Sequence, residues 1–361
     1  MQLADIIKTK VLDEGPISFR DFMEMALYYP ALGYYTSPGE KIGKAGDFYT
    51  SSCLTPVFGA MMGRQLEEMY YILGGNKFTV VEYGAGTGLL CRDILASLEN
   101  NEELYSKLNY CIIEKSQAMR EKAGSYLNEK VSWYGSIQDL PGINGCILSN
   151  ELVDNFSVHQ VVMEEELMEV FVDYADGFTE VLKPARKELK DYLAELKIVL
   201  PKGFRTEINL DAVDWLKEIS KALERGYVVT IDYGYPSSEL YNPCRCKGTV
   251  VCYHKHKISH SPYDAIGEQD ITAHVNFSAL CLWGYKNGLD YCGYRDQGTF
   301  LLALGFKDQM EKNRQGENDL LKYEKEAFIS HLLIEDMGSK FKVLIQGKEV
   351  KEKKLLGFRS V

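Results

Sequence analysis

Apolar and polar positions along the chain first recur at helical spacing: Leu3, Ile6 and Ile7, then Phe19, Phe22, Met23 and Leu27 behind a cap at Ser18. The stretch that follows, YYPALGYYTSPGEKIGKAGDFYTSS, is rich in Gly, Pro, Tyr and Ser. It reads as a long loop, of the kind compact domains keep for function. A helix over 56–73 leads to an apolar run, Phe78 to Val81, and from there strands and helices alternate. The pattern predicts a second strand at 110–113 with its helix at 116–127, a third strand at 131–134 and a fourth at 146–149. The fourth is short and apolar, as a strand buried on both faces should be. YVVTI, 227–231, predicts a further parallel-type strand behind a helix at 212–223. The residues between differ in character: HQVVMEEELMEVFVDY alternates as antiparallel strands do, and PARKELKDYLAELK is a charged helix. Near the end, 278–288 is helical in pattern and FKVLIQGK reads as a last strand.

The expected organisation is a doubly wound α/β core in two halves, 76–156 and 211–361, interrupted by an inserted substrate-side subdomain at 157–210. An N-terminal helical segment with its loop, 1–75, precedes the core. The 361 residues are 45% hydrophobic, enough for a sizeable core without disulfides or a structural metal. A net charge of -11 argues against a nucleic-acid partner, and the lysines of 348–354 are interrupted by Glu349 and Glu352. Nine scattered cysteines form no disulfide framework. MQLADIIKTKVLDEG lacks the basic-then-apolar order of a signal peptide, and no run approaches membrane-span length. These features predict a soluble cytoplasmic protein with no membrane partner; they do not set its oligomeric state.

The chemistry starts at VVEYGAGTGLL, where Gly84, Gly86 and Gly88 stand between the first strand and a helix at 89–98. Glycines there let backbone approach a ligand closely. The spacing is G-x-G-x-G and position 89 is Leu, so the dinucleotide fingerprint is not met and a dehydrogenase is disfavoured. Glu114, in CIIEKS at the tip of the second strand, is placed to accept hydrogen bonds from both ribose hydroxyls of a nucleoside. Ser136, Ile137 and Gln138 in YGSIQDLP are placed to flank an adenine. A nucleoside without phosphate, among acids, suits S-adenosylmethionine, whose sulfonium and ammonium groups favour carboxylates; that gives Glu82 a purpose. The plainer alternatives are a tight turn with no ligand and a loop or cap acid at Glu82.

Seven blocks, FMEMALYYPALGYYTS, GDFYTSS…TPVFG, EYGAGTG, ILSNELVDNFSV, IDYGY, GTVVCYHKH and GEQDITAHVNF, occur in the order found in the MidA-type methyltransferases, which the chain resembles from about residue 17 onward. The resemblance implies a class I methyltransferase (Rossmann-like) fold and methylation of a protein arginine. The family includes a mitochondrial assembly factor acting on a core subunit of respiratory complex I. Where the family has an Asp-Ala-Leu-Pro-like stretch this chain has Asp154, Asn155, Phe156 and Ser157, without the proline. The resemblance also suggests that Gly46, Asp47 and Tyr49 fold over the methionine end of the cofactor.

Asn150, Glu151 and Asp154 fall at the C-terminal end of the fourth strand, where open α/β sheets bind ligands. Two carboxylates three residues apart can clamp the planar fork of a guanidinium and aim one nitrogen at the methyl group. Alternatively Asn150 and Asp154 cap the turn while Glu151 binds cofactor. His274, on one side of an extended segment with Asn276, is either a base for the released proton or a structural histidine. The cluster Cys244, Cys246, Cys252, His254, His256 and His260 fits zinc spacing poorly, and no metal is expected. Besides a methyltransferase acting on a protein arginine, the sequence leaves open a small-molecule methyltransferase and a non-catalytic cofactor-binding assembly chaperone.

Overall fold

The computed structural model describes residues 2–39, 41–43, 46–47, 49–127, 129–314 and 320–360. Tyr49–Leu152, Leu216–Tyr233 and Trp283–Val361 form one compact unit; Met1–Phe48, Val153–Trp215 and Gly234–Leu282 form another.

The first of these is built on a sheet whose strands, in chain order, are β1 (Phe78–Tyr83), β2 (Leu108–Ile113), β3 (Val131–Tyr134), β4 (Ile143–Asn150), β5 (Leu223–Tyr235), β6 (Asp290–Asp296) and β7 (Phe341–Lys348). Their spatial order is β6-β7-β5-β4-β1-β2-β3. β1 pairs in parallel with β2 and β4, β2 with β3, and β4 with β5. β7 alone runs antiparallel, between β5 and β6. The order reverses at β1, so the ends of β1 and β4 flank the topological switch point where such sheets bind ligands. The strands are apolar because both faces are covered: Val80, Val81, Cys146, Ile147, Val229 and Ile231 are each at most 2% exposed. Helix Pro56–Ile72 packs against helix Leu89–Leu98 through Gly59, where a Cβ would stand 2.4 Å from that of Asp93.

The other unit holds the two amphipathic N-terminal helices, Leu3–Glu14 and Phe19–Tyr28. Ser18 caps the second, its hydroxyl accepting the Asp21 N–H at 3.1 Å. Phe19, Phe22, Met23 and Leu27 bury in one core with Val170 and Val172 of an antiparallel sheet. In that sheet Leu167–Tyr174 pairs with His159–Met163 and Phe178–Pro184. A small second sheet has Val251–His254 between Lys257–Ser259 and Asp270–Thr272. No helix among the described residues is long and apolar enough to cross a membrane.

The elements expected from periodicity are present, several strands running longer than expected. β1 continues to Tyr83, so Glu82 lies within a strand. The expected helix at 116–127 is Gln117–Gly124. Helices Glu102–Lys107, Gln297–Ala303, Phe306–Arg314 and Leu320–His331 and strand β6 carry no pattern that announced them, being short or highly charged.

Candidate functional site

The glycine loop takes the shape its composition implied. Gly84, Gly86 and Gly88 have φ of 64°, 53° and 73°, a left-handed region that side chains enter only at a cost. Two of them are also closed sterically: a Cβ on Gly84 would lie 2.7 Å from Leu152 Cδ1, and one on Gly88 2.8 Å from Ala123 Cβ. Gly86 donates its N–H to Glu114 Oε2 at 3.2 Å, and Glu114 Oε1 accepts the Ser116 N–H at 2.8 Å. Loop and acid are thus brought together across the ends of β1 and β2. Burial raises the Glu114 carboxyl above its ordinary range, opposed by these backbone donors. Glu114→Ala is expected to weaken binding of an adenosine ligand by about 1.5–3 kcal/mol, the usual worth of hydrogen bonds to a charged group. Titration calorimetry checks it, and unchanged affinity would remove Glu114 from the binding set.

Glu82 is only 2% exposed and accepts the Tyr110 hydroxyl at 2.6 Å. Burial pushes its carboxyl up to about 7; the Tyr110 hydrogen bond opposes this and nearby Glu114 adds to it. Ser136 caps the short turn Ile137–Asp139, accepting the Gln138 N–H at 3.2 Å and donating its own N–H to Asp139 Oδ2 at 3.1 Å. Ile137 beneath it is buried. At the end of β4, Glu151 has a left-handed φ of 53°. Its Oε1 accepts the Ser51 N–H at 2.9 Å and the Asn150 side-chain amide at 3.1 Å. Burial pushes Glu151 up to about 8; those two donors oppose it and Asp232, on β5, adds to it. Asp232 is fully buried and accepts the Leu152 N–H at 3.2 Å, fixing the backbone just after Glu151. Ser51 and Asp232 were not singled out as site residues in the sequence, although both lie in blocks that carry the family resemblance, GDFYTSS and IDYGY.

Gly46, Asp47, Asp154 and His274 belong to the other unit, and Tyr49, which is exposed, begins the first. A Cβ on Gly46 would meet the Lys41 backbone at 2.4 Å, which is why the loop has glycine there. Asp47 anchors the loop: Oδ2 accepts the Tyr34 hydroxyl at 2.7 Å, and Oδ1 accepts the Lys255 N–H. Lys44, Ala45 and Phe48 of the same stretch lie outside the described residues. A single turn, Val153–Asn155, follows the Glu151 region, with Asp154 buried in it and its carbonyl accepting the Ala273 N–H at 3.0 Å. Next to it Asn155 donates to Asp270 Oδ1 at 3.1 Å, which also receives the Tyr35 hydroxyl at 3.0 Å. Burial pushes Asp270, a residue the sequence reading did not select, up to about 7. The His274 backbone N–H donates to the Thr249 hydroxyl at 3.1 Å, and its ring lies 5.4 Å from that of Tyr235. Burial and the Arg245 charge lower it to about 4, so it is neutral at pH 7 and a weak base. Asn276 accepts the Ser237 hydroxyl at 3.1 Å.

In the cysteine and histidine block, His254 Nδ1 faces the Glu268 carbonyl at 2.7 Å and His260 Nδ1 the Val250 carbonyl at 3.3 Å. No group of three His, Cys, Asp or Glu placed to hold a metal occurs among the described residues.

The first unit's residues fit a nucleoside ending in a cationic amino-acid tail. Beside the loop backbone Glu114 presents a carboxylate, the kind of acceptor that ribose hydroxyls require. Asn150 Oδ1 is buried with no hydrogen-bond partner among the described residues, a vacant acceptor for an ammonium donor. Glu82 and Glu151, held out of water, gain from any cation that ionises them.

Comparison with known proteins agrees with this chemistry. A family model described as "Putative S-adenosyl-L-methionine-dependent methyltransferase" matches residues 61–295. The chain is similar to the protein arginine methyltransferase NDUFAF7 homolog, mitochondrial, of Drosophila melanogaster: 25% identical over 342 residues, covering 86% of this chain and 76% of that one. It is 28% identical over 332 residues to the Homo sapiens protein arginine methyltransferase NDUFAF7, mitochondrial, covering 82% and 71%. A crystal structure of a Burkholderia thailandensis protein bound to S-adenosyl-homocysteine superimposes with a TM-score of 0.88 at 31% identity, covering 99% of this chain and 94% of that one.

Proposed function

The chain belongs to the S-adenosyl-L-methionine-dependent methyltransferase family whose model spans residues 61–295, and from that premise we propose that it methylates an arginine side chain of a protein partner. S-adenosylmethionine, when bound, supplies a methyl group on a sulfonium sulfur, which an acceptor nitrogen displaces in line without a metal. The Gly84–Gly88 backbone and Glu114 hold the nucleoside, with Ser136 and Ile137 beside the adenine. Asn150 and Glu82 serve the amino-acid end.

The observation that carries the arginine reading is Glu151. Its carboxyl is aimed by two donors on one oxygen, Oε1, and burial leaves it near 8. A group so placed gains by meeting a cation that does not give up its charge, and a guanidinium, with a pKa above about 12, is such a cation. A carboxylate such as Glu151 can pair with the planar fork of the guanidinium and leave one terminal nitrogen for the methyl group. As the N–C bond forms and the C–S bond breaks, one N–H proton leaves to a carboxylate or to water. The names of the relatives as protein arginine methyltransferases support the same acceptor.

Mass spectrometry of host proteomes with and without this chain tests the proposal. One or a few arginine sites are expected to lose methylation, and the parent gene should restore it. Unchanged arginine methylation, with cofactor binding intact, would favour a small-molecule acceptor or a non-catalytic role.

A further inference from the structure

Glu151 is not held by its own strand alone. Ser51, fully buried, is the first residue of the short helix Ser51–Leu54, and its N–H reaches Glu151 Oε1 at 2.9 Å. Its hydroxyl lies 3.3 Å from Nε2 and 3.4 Å from Oε1 of Gln297, also fully buried, at the start of helix Gln297–Ala303. A buried glutamine bonded to a buried serine, itself bonded to a carboxyl at the strand tip, is a costly polar arrangement unless each member is satisfied by the next.

We infer that Ser51 and Gln297 are positioning residues for methyl transfer: Gln297 fixes Ser51, and the Ser51 N–H orients the Glu151 carboxylate toward the acceptor. This rests on the reading of Glu151 as the acceptor's partner. The N–H donor stabilises the ionised form of Glu151, against the burial and the Asp232 charge that act the other way.

The geometry supplies a selective test. Ser51 occupies the first helical position, where proline is tolerated, and Thr50 before it is extended at φ −95° and ψ 159°, as a residue preceding proline must be. Ser51→Pro therefore removes the donor with little change to the backbone, while Ser51→Ala keeps the N–H and loses only the hydroxyl. In the full chain bound to S-adenosyl-homocysteine, the Glu151 carboxyl is followed by carbon-13 NMR titration. Single-turnover transfer is followed in parallel, with protein extract from cells lacking the chain as acceptor. Ser51→Pro is expected to raise the Glu151 midpoint by roughly 1–2 pH units and to move the acidic limb of the transfer rate upward with it. Ser51→Ala and Gln297→Leu should shift both less, in the same direction. If Ser51→Pro does not fold, the Gln297→Leu titration decides. An unmoved Glu151 midpoint in a folded variant overturns the inference. Full transfer by Glu151→Gln in the same assay instead overturns the acceptor reading on which it rests, whatever the midpoint does.

Discussion

Gly86→Val is expected to abolish S-adenosylmethionine binding. Gly86 has a φ of 53°, which a β-branched residue adopts only as an outlier, and such strain costs on the order of 1–3 kcal/mol. Gly84 and Gly88 on either side are already in the left-handed region, at φ of 64° and 73°, so the neighbouring positions are conformationally special too. The strain would be relieved by breaking the Gly86 N–H bond to Glu114, the acid assigned to the ribose. The isopropyl group would add bulk where backbone must approach the ligand. Relaxation of the loop and loss of the ribose acid together should exceed a hundredfold in affinity, on the order of 3 kcal/mol or more. Calorimetry with S-adenosylmethionine checks this, with circular dichroism to confirm that the sheet persists; parent-like affinity would remove the loop from the cofactor site.

Glu151→Gln and Asp154→Asn should each lower methyl transfer by about 10²–10³ while leaving cofactor affinity within a few-fold, the loss typical of one aligned electrostatic group. The Glu151 variant should also change the pH profile. Burial pushes the folded carboxyl up to about 8, so transfer to a cationic acceptor should rise with pH through that region in the parent. Glutamine cannot ionise, and the limb should vanish; Asp154→Asn should keep it. A different pattern would identify the other role for Glu151: cofactor affinity falling first, with transfer recovering at high cofactor, marks a partner of the methionine ammonium. Full activity in both variants would mean that the carboxylates only shape the turn.

Much of this is legible in the sequence. The strand-glycine-helix passage at 78–98 declared itself because three glycines follow an apolar run, and the fold gives each of them a left-handed φ. The helices at Leu3 and Phe19 and the paired strands around Met163 followed from spacing, since each has one buried face. Strand β6 did not, because Asp290, Tyr291 and Asp296 are exposed and the remainder shows no alternation. The long-range partners were invisible for a different reason. That Tyr110 serves Glu82, or Ser51 and Asp232 the Glu151 turn, depends on segments 28 to 100 residues apart in the chain, and no local pattern encodes such a meeting. The acid at position 82 shows the limit well: its type was readable, but its depth in β1 and its bond to Tyr110 came only with the fold.

The place of β7 bears on how the protein is made. It pairs with β5 from Gly226↔Lys348 to Tyr233↔Phe341 and with β6 on its other side, yet of all the sheet's strands it is the last to be synthesised. On the ribosome, β5 must therefore wait with one edge open until the chain has been made past residue 341, and β6 has no strand partner among the described residues until β7 emerges. Unpaired apolar edges of this kind recruit other strands. A polypeptide truncated before Phe341 would carry the glycine loop and leave these edges open, so it is expected to bind chaperones or aggregate.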